Sequence, residues 1–374
     1  MPADAGPQAV TLTPNPLLTL DDTATMQLRA DNVRKQAIDG HIQIAPAVVA
    51  VEALQEGKTI AATIHLRGDN PPVAAATGQL TLQTVAFDSQ QPFTILRVGD
   101  TQHAVNVTQA SDQGAALWQI DNRRMAWRVA PAFHAGIVAW RERGSPINQM
   151  CTSFPEEGEF KWMKPWFGGL RPLLTSNEGG WPGKFHQEAF AATVIETRDA
   201  QGLPWRGLRL QTEIGGQKSL KGIRVELDYL TLPGSNLIKA VLRVVNDTPV
   251  YRSAWNPSCA FMLFCQVDGR FDNAVLYGEN SYAGLVQRKR AATGVWIRVG
   301  NWGAVVNPAS GRALCVVCPS PSDSVLLLDG DQEGGHLLIT QHKALAPNAA
   351  KELVVYAALV DSLAAARQYA SLGG

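Results

Sequence analysis

The first 117 residues contain no tryptophan, although the rest of the chain holds ten. A composition step that sharp marks a domain boundary. Cysteine is also scarce: Cys151, Cys259, Cys265, Cys315 and Cys318 are the only five in 374 residues. A sparse, odd-numbered set in a long chain argues against a disulfide framework. An excess of charge of either sign is missing too. Lys+Arg and Asp+Glu number 33 each, for a formal net charge of zero. Nucleic-acid binders show a basic excess, so no nucleic-acid partner is expected. The compact basic run Arg288-Lys289-Arg290 reads as a solvated strand end. No apolar run approaches the roughly 20 residues of a membrane-spanning helix, so no membrane partner is expected. The start, MPADAGPQAV, lacks the basic and apolar regions of a signal peptide. Location stays open between the cytoplasm and a mature or excised piece of an exported protein. There is no P-loop, no GxSxG, no HExxH and no dinucleotide GxGxxG after a strand. No second Cys pair or His pair stands at zinc-finger spacing. No cofactor and no metal are expected. Cys315-Val-Val-Cys318 sits in the strand-like run RALCVVCPS, where alternation sends the two thiols to opposite faces.

What is present is strand pattern. The chain is 45% hydrophobic and 18% charged, ample for a large core and too long for one ordinary domain. Residues 1–100 carry short alternating runs such as TMQLRA, GHIQIA, TIAATIHLRG and GQLTLQTVAF, divided by Pro, Gly, Asp and Asn. That spacing predicts an immunoglobulin-like β-sandwich. His41 and His65 stand alone in strands and suggest no metal site. Residues 101–374 continue the pattern with ALWQID, MAWRVA, GIVAWRE, GLRLQTEI, GIRVELDYLTL, LIKAVLRVVND and ELVVYAALV. Helical periodicity surfaces only at Ser362–Leu372, SLAAARQYASL. So many strands without helical crossovers predict an all-β second domain, a large antiparallel sandwich or barrel.

The segment 160–190, FKWMKPWFGGLRPLLTSNEGGWPGKFHQEAF, concentrates tryptophan, paired glycines and charge. Aromatic faces stack on the C–H faces of a sugar, and charged groups meet its hydroxyls. Trp166 and Trp181 beside the Gly pairs are therefore candidate cleft walls. Arg171 can fork onto hydroxyls or a uronate carboxylate, and Lys184 can act as a point charge. His186 and Glu188, two apart, share a face if this stretch is a strand, and make an acid/base pair. Glu178 with Glu188 is the carboxylate pair for glycoside cleavage, with Glu213 and Asp228 as more distant partners. Glu156-Glu157 and Glu159 read as a solvated acidic turn. Trp118, Trp127 and Trp140 lie in alternating strands and read as core, while Trp296 and Trp302 flank a turn and fit either role.

The order of four segments resembles the galactose-mutarotase-like β-supersandwich of aldose epimerases and polysaccharide-active proteins. They are NRRMAWRVAPAFHAGIVAWRERGSPINQM, then PWFGGLRPLL with GKFHQEAF, then DYLTLPGSNLIKAVLRVVNDTPV, then ALAPNAAKELVVYAALV. The resemblance covers roughly residues 115–365. It implies a saccharide or polysaccharide partner and places His186 at a sugar-site histidine. The chain departs from the family at SAWNPSCAF, where Trp255, Asn256 and Pro257 stand in place of the His-Pro-Tyr-like motif. The late carboxylate base has only Asp329, Asp331 and Glu333 as loose counterparts. Three readings follow: a saccharide-processing enzyme such as a hydrolase or epimerase, a saccharide-binding module, or a structural module of a homo-oligomer or larger parent chain.

Overall fold

The computed structural model describes residues 10–13, 16–21, 23–30, 38–44, 47–54, 59–65, 74–83 and 88–373, with breaks at 161–162, 177–182, 254–256, 271–274, 289–294, 320–323 and 332–333. Contacts divide the chain into two units. One runs to Thr101 and includes Arg198–Leu203; the other comprises Gln102–Thr197 and Pro204–Gly373.

In the first unit, strands Val10–Thr13, Thr23–Ala30 and Thr59–His65 form one sheet in that order. A second sheet orders Leu17–Thr19, Asp88–Arg97, Ala74–Gln83, Ile38–Ile44 and Ala47–Leu54. Its pairings are antiparallel except the first, which is parallel. His41 and His65 lie on two of these strands.

The second unit is built on two nine-stranded sheets. The first sheet orders Val295–Val299, Ser324–Asp331, Gly334–Gln341, Ser258–Phe264, Leu170–Thr175, Gly136–Glu142, Met125–Ala130, Ala115–Asp121 and Asn106–Asp112. The second orders Ala191–Arg198, Pro204–Glu213, Ile223–Thr231, Leu237–Asn246, Ala349–Val360, Ala313–Val317, Trp302–Val306, Val275–Asn280 and Gly284–Arg288. Alternate side chains explain the stacking. In Leu237–Asn246, Ile238, Ala240, Leu242 and Val244 enter the core, as two-residue periodicity requires. Leu170, Leu174, Phe261, Leu263, Leu337 and Ile339 meet that core from the first sheet. Trp127 and Trp140 are fully buried there and Trp118 packs on the margin.

The opposite, outer face of the first sheet has its own apolar cluster. Leu173, Ala260, Met262, Phe264 and Leu338 come from the strands, and Met163 and Trp166 from the chain that covers them. The five cysteines are free, and burial pushes the Cys151 thiol up to about 11 and Cys315 to about 12. Cys318 belongs to the inter-sheet core, while Cys315 has its electrostatic neighbour in Tyr369 of the short helix. That helix, Leu363–Tyr369, starts where Ser362 accepts a hydrogen bond from the Ala365 N–H. Among the described residues, no helix is long and apolar enough to cross a membrane.

Candidate functional site

Sheet register brings polar side chains to the outer face of the first sheet. Arg171 follows core residue Leu170, so alternation turns it outward, opposite Met262. It is only 1% exposed. Its Nη2 meets the Met163 and Met262 sulfurs at 3.6 and 3.4 Å, both weak acceptors. Among the described residues, its Nε and Nη1 have no hydrogen-bond partner. The guanidinium carbon lies 6.0 Å from the centre of the Phe264 ring. Burial brings its pKa down to about 10, so it stays charged at neutral pH. A buried charge without a counter-ion is costly, and such a group calls for an explanation.

Two histidines flank it. His134 comes from the turn between Met125–Ala130 and Gly136–Glu142. His134 and Ala135 adopt φ of 64° and 54°, a left-handed pair that is strained for residues bearing a Cβ. The Tyr229 hydroxyl holds the turn by donating to the Ala135 carbonyl at 2.9 Å. His186 sits in the 3₁₀ turn Phe185–Gln187, which Phe185 anchors in the inter-sheet core. The two imidazoles stack with centroids 5.8 Å apart, and Phe167 touches both, at 4.7 and 5.4 Å. Burial, then the Arg171 charge, holds His134 well below the usual histidine range. Burial also lowers His186, with Glu157 pulling the other way. Both rings are therefore neutral at neutral pH.

The sign of the pH effect follows. Depressed folded-state values mean the unfolded chain binds more protons once pH falls below the ordinary histidine value of 6.5. Stability should decline as pH drops through that region and be fully present above it. Urea titrations of the wild type and His134→Gln between about pH 7 and 5 test this. The slope should be steeper in the wild type, and equal slopes would remove the buried neutral imidazole from the account.

The row continues toward the sheet edge. Phe264 pairs with His336 across strands, and Trp296 stands on the edge strand two beyond that of His336, with Asp329 paired between them. Phe264 and His336 stack at 4.5 Å, and Trp296 meets His336 edge-on at 6.2 Å. Trp296 is 42% exposed.

The positions read from sequence fare differently. Arg171 and His186 come together, and Phe167 links His186 to His134. Lys184 is exposed beside the 3₁₀ turn. Trp166 is 8% exposed and packs on Phe160 and Phe264 at 5.4 and 5.5 Å, so it supports the face from within the cluster. Glu188 does not share a strand face with His186, because 185–187 is a 3₁₀ turn. Its carboxylate accepts from the Gly215 and Gly216 N–H groups, both at 3.2 Å. Asp228 is paired to Arg209 at 2.7 Å on the second sheet. Glu178 and Trp181 lie outside the described residues, as do Trp162, Trp255, Asn256 and Glu333. Among the described residues, no group of three or more His, Cys, Asp or Glu is placed to hold a metal ion. Sequence reading passed over His134; its one signal was a lone histidine in the turn PAFHAG, between two strong strands.

The architecture has counterparts among solved structures. A candidate aldose 1-epimerase from Klebsiella pneumoniae subsp. pneumoniae aligns over 73% of this chain and 88% of its own, with 12% identity and a TM-score of 0.51. A galactose mutarotase-like protein from Clostridium acetobutylicum aligns over 69% of this chain and 99% of its own, with 10% identity and a TM-score of 0.50. The chain carries the galactose-mutarotase-like fold. No family model matches the sequence, and no curated protein matches it. At such identities the likeness is one of fold, and the mutarotase-like fold alone does not assign a reaction. Function must be argued from the outer-face residues.

Proposed function

We propose that the outer face of the first sheet binds a saccharide at Arg171, His134 and His186, with His186 as the acid/base group nearest solvent. The observation that carries this reading is the stacked imidazole pair beside a buried guanidinium that, among the described residues, no carboxylate meets. A sugar supplies hydroxyls for such donors. Exchange at an anomeric carbon requires proton transfer at the hydroxyl and at the ring oxygen. A neutral imidazole can accept the hydroxyl proton, and the imidazolium so formed can return that proton to the ring oxygen, so that no proton is gained or lost overall.

A saccharide panel followed by calorimetry and by exchange NMR of the two anomers tests this. The wild type should bind a panel member and speed its anomer exchange. His186→Ala should slow that exchange about 100-fold, more than its loss of affinity accounts for. A panel in which no saccharide binds would overturn the reading. A second reading, binding without turnover, is favoured by the Glu188 carboxylate, which is occupied by the Gly215 and Gly216 amides and so is not a free partner for His186. Tight binding with no acceleration of exchange in the wild type would select it.

A further inference from the structure

We propose that the saccharide taken by this site is a uronate, with its carboxylate received by Arg171. This rests on the reading of the outer face as a saccharide site and names the class of sugar. Arg171 is 1% exposed, and among the described residues two of its three nitrogens have no hydrogen-bond partner and the third meets thioether sulfur. Among the described residues no carboxylate forms an ion pair with it. The titratable groups acting on its neighbours are His134, His186, Lys184 and Glu157, and Glu157 acts on His186. With both imidazoles neutral, the cluster presents one positive charge in a desolvated setting.

A single guanidinium with free donors calls for a single negative charge. Neutral hydroxyls would satisfy the hydrogen bonds and leave the charge uncompensated. A phosphate ester, with close to two charges at neutral pH, would exceed what one guanidinium supplies. A carboxylate matches both the charge and the planar, two-pronged geometry of the donor. Gly136 lets the neighbouring strand approach closely: a Cβ there would stand 3.4 Å from the Arg171 Cβ and 3.1 Å from the Leu170 carbonyl oxygen and would crowd the base of Arg171. His186, half-buried, is the rim at which a ligand would first meet the cluster.

The test compares D-glucuronate and D-galacturonate with glucose, galactose and glucose 6-sulfate by calorimetry, on the wild type, Arg171→Met and Arg171→Lys. Methionine keeps an unbranched apolar stem among two other methionines and removes a buried unpaired charge, so this variant should melt no lower than the wild type. The wild type should prefer a uronate over its neutral parent by about tenfold or more, the scale of a charge-assisted hydrogen bond. That preference should vanish in Arg171→Met and persist in part in Arg171→Lys. Neutral and charged sugars binding equally to the wild type would overturn the uronate proposal and leave the saccharide site standing. So would a preference that survives in Arg171→Met, or glucose 6-sulfate binding tighter than both uronates. No binding of any sugar would overturn both.

Discussion

Gly169→Ala is expected to destabilise the second unit by at least ~3 kcal/mol and to dismantle the outer-face cluster with it. Two costs combine. Gly169 has φ +67°, where a Cβ carries a penalty of roughly 1–2 kcal/mol. That Cβ would also fall 2.2 Å from the Ile137 carbonyl oxygen, a backbone atom of the neighbouring strand. Neither side can retreat cheaply. The Gly169 N–H donates to the Cys151 carbonyl at 2.7 Å, and its own carbonyl accepts from Phe264 at 2.9 Å. Gly168 is in the same position, with φ +68° and a Cβ that would meet the Cys151 carbonyl oxygen at 2.1 Å. The glycine pair thus lets the chain pass between two strands and deliver Arg171 two residues later. Gly114→Ala is the matched control, since φ is +83° there and no atom lies within 4 Å of the added carbon. It should cost only the conformational penalty. Chemical denaturation of the two variants decides the matter: a Gly169→Ala loss no larger than that of Gly114→Ala would mean the strands yield and the close-approach argument is wrong.

Trp140→Ala should cost about 3–5 kcal/mol, the range for truncating a buried tryptophan. Trp140 is fully buried, faces Trp127 across adjacent strands and holds it at a ring separation of 5.5 Å. Among the described residues, its indole N–H has no hydrogen-bond partner. The loss is therefore one of packing and cavity formation, with no hydrogen bond to subtract, and Trp140→Phe should recover a good part of it. Trp296→Ala, at a 42% exposed ring, should stay within about 0.5 kcal/mol. The midpoint of the second unit's urea transition, at unchanged slope, is the quantity to compare. A Trp140→Ala midpoint matching that of Trp296→Ala would show that the region between the sheets refills at little cost.

The two classes of tryptophan show what sequence could and could not supply. Trp127 and Trp140 declare themselves as core because they sit in strands whose alternation can be read locally. The two-sheet, all-β character of the second unit follows from the same local rule, repeated over many strands. Arg171 and His186 stand out because they fall among paired glycines and tryptophans in a loop-rich stretch of sequence, a pattern that suits a polar, ring-shaped ligand. What local pattern cannot carry is register between distant strands. That Phe264, His336 and Trp296 fall in one row depends on pairings across dozens of residues. His134 joins His186 only because a left-handed turn and the 3₁₀ turn of Phe185–Gln187 converge on Phe167. Glu188 shows the converse hazard: the two-residue rule does not hold across the 3₁₀ turn at 185–187, and the carboxylate accepts from the Gly215 and Gly216 amides.

The order of strands in the second sheet also bears on how the molecule comes to exist. Ala349–Val360 lies between Leu237–Asn246 and Ala313–Val317, with ten register pairs to the former alone. During synthesis a chain leaves the ribosome in sequence, at about 5–20 residues per second. Pro204–Asn246 can form its meander early, but its central edge stays unpaired until more than a hundred further residues have emerged. For those seconds the apolar row Ile238, Ala240, Leu242 and Val244 borders an open strand edge, the kind of template that invites mispairing with other chains. Expression yield should therefore respond to chaperone supply and growth temperature more than the stability of the finished protein would suggest.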